Sequence, residues 1–224
     1  MAYYIDLEKV SLKEYKYKLH TAYLPPSRMI LKESIDERFS YFENLGIANV
    51  KQLFVFLKKK GNIQELEKLD IFSGNYLTIL LRELNSTLPK PNKIADFIGV
   101  SQDSITKLAK INVNTTEQLF NKVLTKDQRL KLSEETGIDI NEILELTVLT
   151  DLSRIKWVGA TFARMLYQAG MESVEKISLA DPIELHTNLQ KLNNERKIFK
   201  GQIGLNDIRI LVNAAKDVTF DIKF

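Results

Sequence analysis

The chain has 224 residues, 44% of them hydrophobic and 27% charged, the balance of an ordinary globular protein able to bury a core. Its 32 basic and 29 acidic side chains leave a net charge of +3, too even to announce a nucleic-acid binder by composition alone. It has no cysteine and only two histidines, His20 and His186, far apart in sequence, which excludes disulfides and thiolate metal centres and leaves no metal-ligand spacing.

Tyr3-Tyr4-Ile5 suggests a short extended N-terminal arm. From Ser11 to about Ala22, Leu12, Tyr15 and Leu19 recur at helical spacing, and Ser11 with Glu14 forms a capping box. Pro25-Pro26 ends that helix, and a second is expected over Arg28–Lys32. Tyr3, Tyr4, Tyr15, Tyr17 and Tyr23, interleaved with lysines, either pack inside the protein or stack bases.

A repeat then appears. Phe42-x-x-Leu45-Gly46-Ile47-x-Asn49 returns as Leu108-x-x-Ile111-Asn112-Val113-x-Thr115, a shift of 112 − 46 = 66 residues. A third copy is Leu166-x-x-Ala169-Gly170-Met171-x-Ser173. Gly46, Asn112 and Gly170 suit a left-handed residue closing one helix, and Asn49, Thr115 and Ser173 suit the N-cap of the next. Lys58–Lys60 read as cations at a helix C-terminus. Asn85–Asn92, rich in Pro, Ser and Thr, reads as a linker, giving expected domains 1–87 and 92–224, the latter with sub-units 92–150 and 151–224. Asp139 with Glu142 starts a helix running to Leu146, and Asp96, Asp103, Asp151 and Asp181 read as acids at or near helix starts.

Asp151 to Leu166 (DLSRIKWVGATFARML) is the most informative segment. Ile155, Val158, Gly159, Ala163 and Leu166 resemble the helix-hairpin-helix signature, in which turn amides and the next helix N-terminus face a phosphate. Trp157 stands where that signature has its first turn glycine. A bulky residue there restricts a left-handed turn, and the indole is either a contact for a base or partner protein or a packed side chain. The chain from about Ile30 to Lys216 resembles a bacterial and archaeal family of helix-hairpin-helix repeat proteins labelled as a domain of unknown function, in a long form with an N-terminal extension. The resemblance rests on DLSRIKWVGATFARML, AGMESVEKISLADPIEL, Asn193-Asn194-Glu195 and a closing helix through Ala214-Ala215-Lys216. It implies an all-α fold of tandem helix-hairpin-helix (SAM-like) units and no activity.

Arg154, Lys156 and Arg164 flank the turn, and Lys191, Arg196, Lys197 and Lys200 follow downstream; on one face they would form a basic stripe. Gly201-x-x-Gly204 resembles a phosphate-gripping GxxG loop, and a turn before the last helix, capped by Asn206 or Asp207, explains it as well. The resulting expectation is a non-catalytic protein with no catalytic residues, metal or cofactor. Its expected partner is DNA or RNA, held by Arg154, Lys156, Trp157, Val158, Gly159, Ala160, Arg164, Lys197 and Lys200. The alternative is a protein-interaction module. No apolar run predicts a membrane span, and a cytoplasmic setting is expected.

Overall fold

The local rules written in the repeats govern the backbone. In a computed structural model that describes residues 2–224, the chain divides into two compact units, Ile5–Leu88 and the residues up to Tyr4 with Pro89–Phe224. Among the described residues the regular secondary structure is entirely helical, with two isolated β-bridges.

The first unit holds α1 (Leu12–Thr21), a 3-10 segment (Pro26–Lys32), α2 (Ile35–Asn44), α3 (Val50–Leu57), α4 (Lys60–Leu66) and α5 (Gly74–Ser86). The Ser11 and Glu14 capping box forms as expected. The stretch after Pro25-Pro26 is 3-10 rather than α-helical. Phe39, Phe42, Leu53, Tyr76, Leu77 and Leu80 are fully buried at its centre. Arg38 is buried there too, its guanidinium 4.0 Å from the Tyr76 ring and donating to the carbonyls of Ile71 and Glu33, both at 2.7 Å. Arg28 pairs with Glu83 across the unit.

The second unit holds a 3-10 turn (Ile94–Asp96), then α6 (Gln102–Lys110), α7 (Thr116–Phe120), α8 (Lys126–Thr136), α9 (Ile140–Leu152), α10 (Ala160–Gln168), α11 (Val174–Ser178), α12 (Pro182–Arg196) and α13 (Leu205–Ala215). Helix α9 runs six residues past the expected end at Leu146 because Thr147 to Leu152 are all buried. Tyr3-Tyr4 bends instead of extending. The Tyr3 ring is buried against Phe120 and its hydroxyl shares a 2.7 Å hydrogen bond with Thr116 Oγ1. Burial pushes this phenol up to about 12.

One turn recurs three times with the same hydrogen bonds. Gly46, Asn112 and Gly170 take φ of 79°, 60° and 80°. The amide after each reaches back five residues, from Ile47 to Phe42 O (3.2 Å), Val113 to Leu108 O (2.9 Å) and Met171 to Leu166 O (3.0 Å). This is the Schellman closure of a helix C-terminus. Asn49, Thr115 and Ser173 then accept from the amide three residues on.

The next residue's amide is buried, and its acceptor differs between copies. Val50 N–H donates to Val10 O at 3.0 Å and Thr116 N–H to Asn92 O at 2.9 Å. In the third copy Val174 N–H donates instead to the Asp151 carboxylate, at 2.8 Å.

Two alanine substitutions in the first unit separate backbone conformation from contact. An added Cβ meets nothing within 4 Å at either Gly46 or Gly61. Gly46→Ala should destabilise by about 1 kcal/mol because its φ is left-handed, whereas Gly61→Ala, inside α4, should stabilise by about 0.5–1 kcal/mol. Urea unfolding should show the two midpoints moving in opposite directions at unchanged m.

Candidate nucleic-acid interface

Helix α9 ends in Leu152, and after a turn at Ser153-Arg154 the chain makes a second, Ile155-Lys156-Trp157-Val158, before α10. Val158 N–H closes that turn onto Ile155 O at 3.1 Å. Ile155 and Val158 are buried, anchoring both sides. Trp157, third in the turn, has φ +67°. A turn with only its third residue in this region calls for glycine or asparagine there. The tryptophan therefore does not prevent the left-handed turn; it adopts it, at a conformational expense of roughly 1–2 kcal/mol. Its indole is 45% exposed, with the Lys156 ammonium 4.2 Å from the ring centroid.

Gly159 follows as the N-cap of α10 and Ala160 as its first residue. No side chain caps this helix, unlike the helices after Asn49, Thr115 and Ser173. Its leading amides lack intrahelical acceptors by geometry, and a Cβ built on Gly159 would meet open space. An anion has room to approach there, and the helix dipole favours it.

The expected basic stripe does not form as read, because two of its members are internal. Arg154 is 2% exposed. Its guanidinium donates to Asp151 Oδ1 (2.9 Å), Tyr3 O (3.2 Å), Thr219 Oγ1 (3.0 Å) and Asp221 Oδ2 (3.1 Å), and lies 4.5 Å from the Phe120 ring centroid. Arg164 is 4% exposed and donates to Glu145 Oε1 at 2.7 Å. Both guanidiniums are spent on internal carboxylates, so neither faces a ligand. Asp151 likewise stands at the end of α9, not at a helix start, and desolvation raises its carboxyl above the usual carboxylate range.

Other cations are brought to the turn. Asn92 donates to Ser153 Oγ at 2.9 Å and, more weakly, to Val158 O at 3.4 Å. This fastens Pro89-Lys90-Pro91-Asn92-Lys93 beside the turn, with Lys90 and Lys93 exposed. From the other direction Phe199 packs on Phe162, in the first turn of α10, with centroids 5.6 Å apart. Asn193 clamps the Phe199 backbone, accepting from its N–H at 2.8 Å and donating to its carbonyl at 2.9 Å. A Cβ on Gly201 would lie 2.7 Å from the Phe199 ring, so that glycine permits the packing. Lys197, in the left-handed cap of α12, and Lys200 are exposed on this loop. At its far end Gly204, not Asn206 or Asp207, is the N-cap of α13, and its amide donates to Asp207.

Segments 89–93, 153–162 and 197–204 thus meet around one turn. They carry Lys90, Lys93, Lys156, Lys197 and Lys200, with the internal Arg154, and not one acidic residue. Lys90 escapes a sequence reading because it lies in what scans as a linker, and Lys93 because it follows directly on that stretch. Among the described residues no group of three or more His, Cys, Asp or Glu could hold a metal ion, and no helix is long and apolar enough to cross a membrane.

The fold and this surface define an all-helical protein with an open, lysine-bordered helix start. The chain belongs to the family described as Domain of unknown function (DUF4332), whose pattern matches residues 98–218, from just before α6 to just after α13. The turn and the 197–204 loop fall inside the matched region; Lys90 and Lys93 fall outside it. No curated protein and no solved structure matches the chain.

Arg154 tests the internal assignment. Arg154→Met should lower stability by about 3–5 kcal/mol at neutral pH, because the Asp151 carboxylate stays buried without its counter-ion. A carboxyl whose pKa is raised on folding takes up a proton as pH falls toward its unfolded value near 4, and folding gains stability in that direction. The deficit of the variant should therefore shrink on acidification from neutral pH. Urea unfolding at neutral and mildly acidic pH reads this directly, and a surface arginine would show almost no deficit at either.

Proposed function

We propose that the chain is a non-catalytic helix-hairpin-helix protein that binds nucleic acid without sequence specificity, through phosphate contacts at the turn before α10. The observation that carries this reading is the convergence of five lysines from three acid-free segments on one turn. The uncapped start of α10 at Gly159 and Ala160 supports it, since exposed amides and ammonium groups are complementary to the same phosphate. Contacts of this kind give affinity rather than base readout. The alternative, a protein-interaction module, draws on Leu179 and Ile183, which are 80% and 59% exposed around the start of α12.

Fluorescence anisotropy with end-labelled duplex and single-stranded DNA across a salt series tests the proposal. The expected outcome is binding tighter than about 100 μM at low salt, weakening steeply as salt rises. Lys197→Glu with Lys200→Glu should reduce affinity for all sequences alike and flatten the salt slope by about two phosphates' worth. Absence of binding at about 100 μM in low salt overturns the reading and favours a protein partner.

A further inference from the structure

We infer that the Trp157 indole is a stacking platform for an unpaired nucleobase, so that the ligand of this face is single-stranded nucleic acid, DNA or RNA, rather than intact duplex. The inference rests on the proposed phosphate-binding reading and names the ligand class of that same surface.

Three observations carry it. Trp157 occupies a left-handed position, φ +67°, where glycine sits without strain, yet 45% of the residue stays exposed. The backbone is unfavourable while the side chain is only partly covered, and a strained, exposed outlier of this kind points to function. Second, the platform is held. Ile155 and Val158 are buried on either side, Val158 N–H closes the turn at 3.1 Å, and Lys156 lies 4.2 Å from the indole centroid. Third, the exposed charges on the three segments flanking this turn are basic, while the carboxylates that reach it, Asp151 and Asp221, are paired with the buried Arg154. Lys90, Lys93, Lys156, Lys197 and Lys200 come with no carboxylate in segments 89–93, 153–162 or 197–204.

An aromatic face bordered by cations is complementary to a base next to its own phosphates. It is poorly matched to a paired duplex, whose bases offer their faces to one another and present only their edges in the grooves. A protein partner would need acidic groups to meet these lysines, and it becomes an outcome of the test.

Trp157 is the chain's one tryptophan, so tryptophan fluorescence reports on this residue alone. The experiment titrates the full chain with oligothymidylate, oligouridylate, an abasic deoxyribose-phosphate strand of equal length, and a blunt duplex. Each titration follows both tryptophan emission and anisotropy of a labelled strand. Trp157→Gly is the companion variant, and its folding is not at risk because glycine is the residue this φ favours.

The expected result is strong quenching by both base-bearing strands, none by the abasic strand or the duplex, and roughly tenfold tighter binding of the base-bearing strands than of the abasic one. Trp157→Gly should erase that tenfold difference between base-bearing and abasic strands. Equal affinity for base-bearing and abasic strands, with no quenching, overturns the platform while the phosphate reading stands. Failure of every strand to bind overturns both. Self-association of the wild type that Trp157→Gly abolishes, with no strand bound, assigns the indole to a protein contact and overturns the inference.

Discussion

A buried N–H at the start of a helix must find an acceptor, and the three repeated turns differ chiefly in what they offer it. Val50, Thr116 and Val174 are all at most 1% exposed. The first two amides are met by a carbonyl from a preceding segment of chain, and the third by the Asp151 carboxylate. A carbonyl is neutral and asks for nothing further. A carboxylate taken out of water needs a counter-charge, and Arg154 supplies it. Once buried, that guanidinium has donors to spare, and these gather Tyr3, Thr219 and Asp221 around it. Much of the second unit's polar interior follows from one exchange of acceptor.

What was legible in the sequence was what short-range sterics decide. Gly46, Asn112 and Gly170 could be assigned to left-handed closures because few other residues tolerate that backbone, and the caps at Asn49, Thr115 and Ser173 follow from side-chain reach over three residues. The fate of Arg154 was not legible, because all of its partners but Asp151 lie 65, 67 and 151 residues away. Arg164 is similar, its carboxylate lying 19 residues upstream on a different helix. Lys90 and Lys93 were hidden for another reason. Lys90 is flanked by prolines and Lys93 follows Pro91-Asn92, the composition of a spacer, and only the hydrogen bonds of Asn92 place them at the turn. Trp157 shows the limit of a steric rule read as a prohibition. The left-handed region is disfavoured for tryptophan, but by an amount that neighbouring burial can override.

The net charge of +3 conceals the feature that matters for binding. Charge summed along a chain has no geometry, whereas a polyanion responds to charge density on a surface. Here two arginines are withdrawn into ion pairs while five lysines from three distant stretches are drawn to one place. The exchange also changes the character of the surface, since lysine acts as a mobile point charge and not as a planar fork.

The carboxylate at position 151 also changes the spacing of the repeat. Where a main-chain carbonyl is the acceptor, an extended stretch of chain must first be laid alongside the turn, as Ser11 is beside Asn49 and Lys93 beside Thr115. A side chain projecting from the end of α9 makes that stretch unnecessary. The interval between left-handed residues falls accordingly, from 112 − 46 = 66 to 170 − 112 = 58. One helix can then lead into the next through the seven residues 153–159. The shortened connection is what leaves a single tight corner projecting from the second unit, with Trp157 on it.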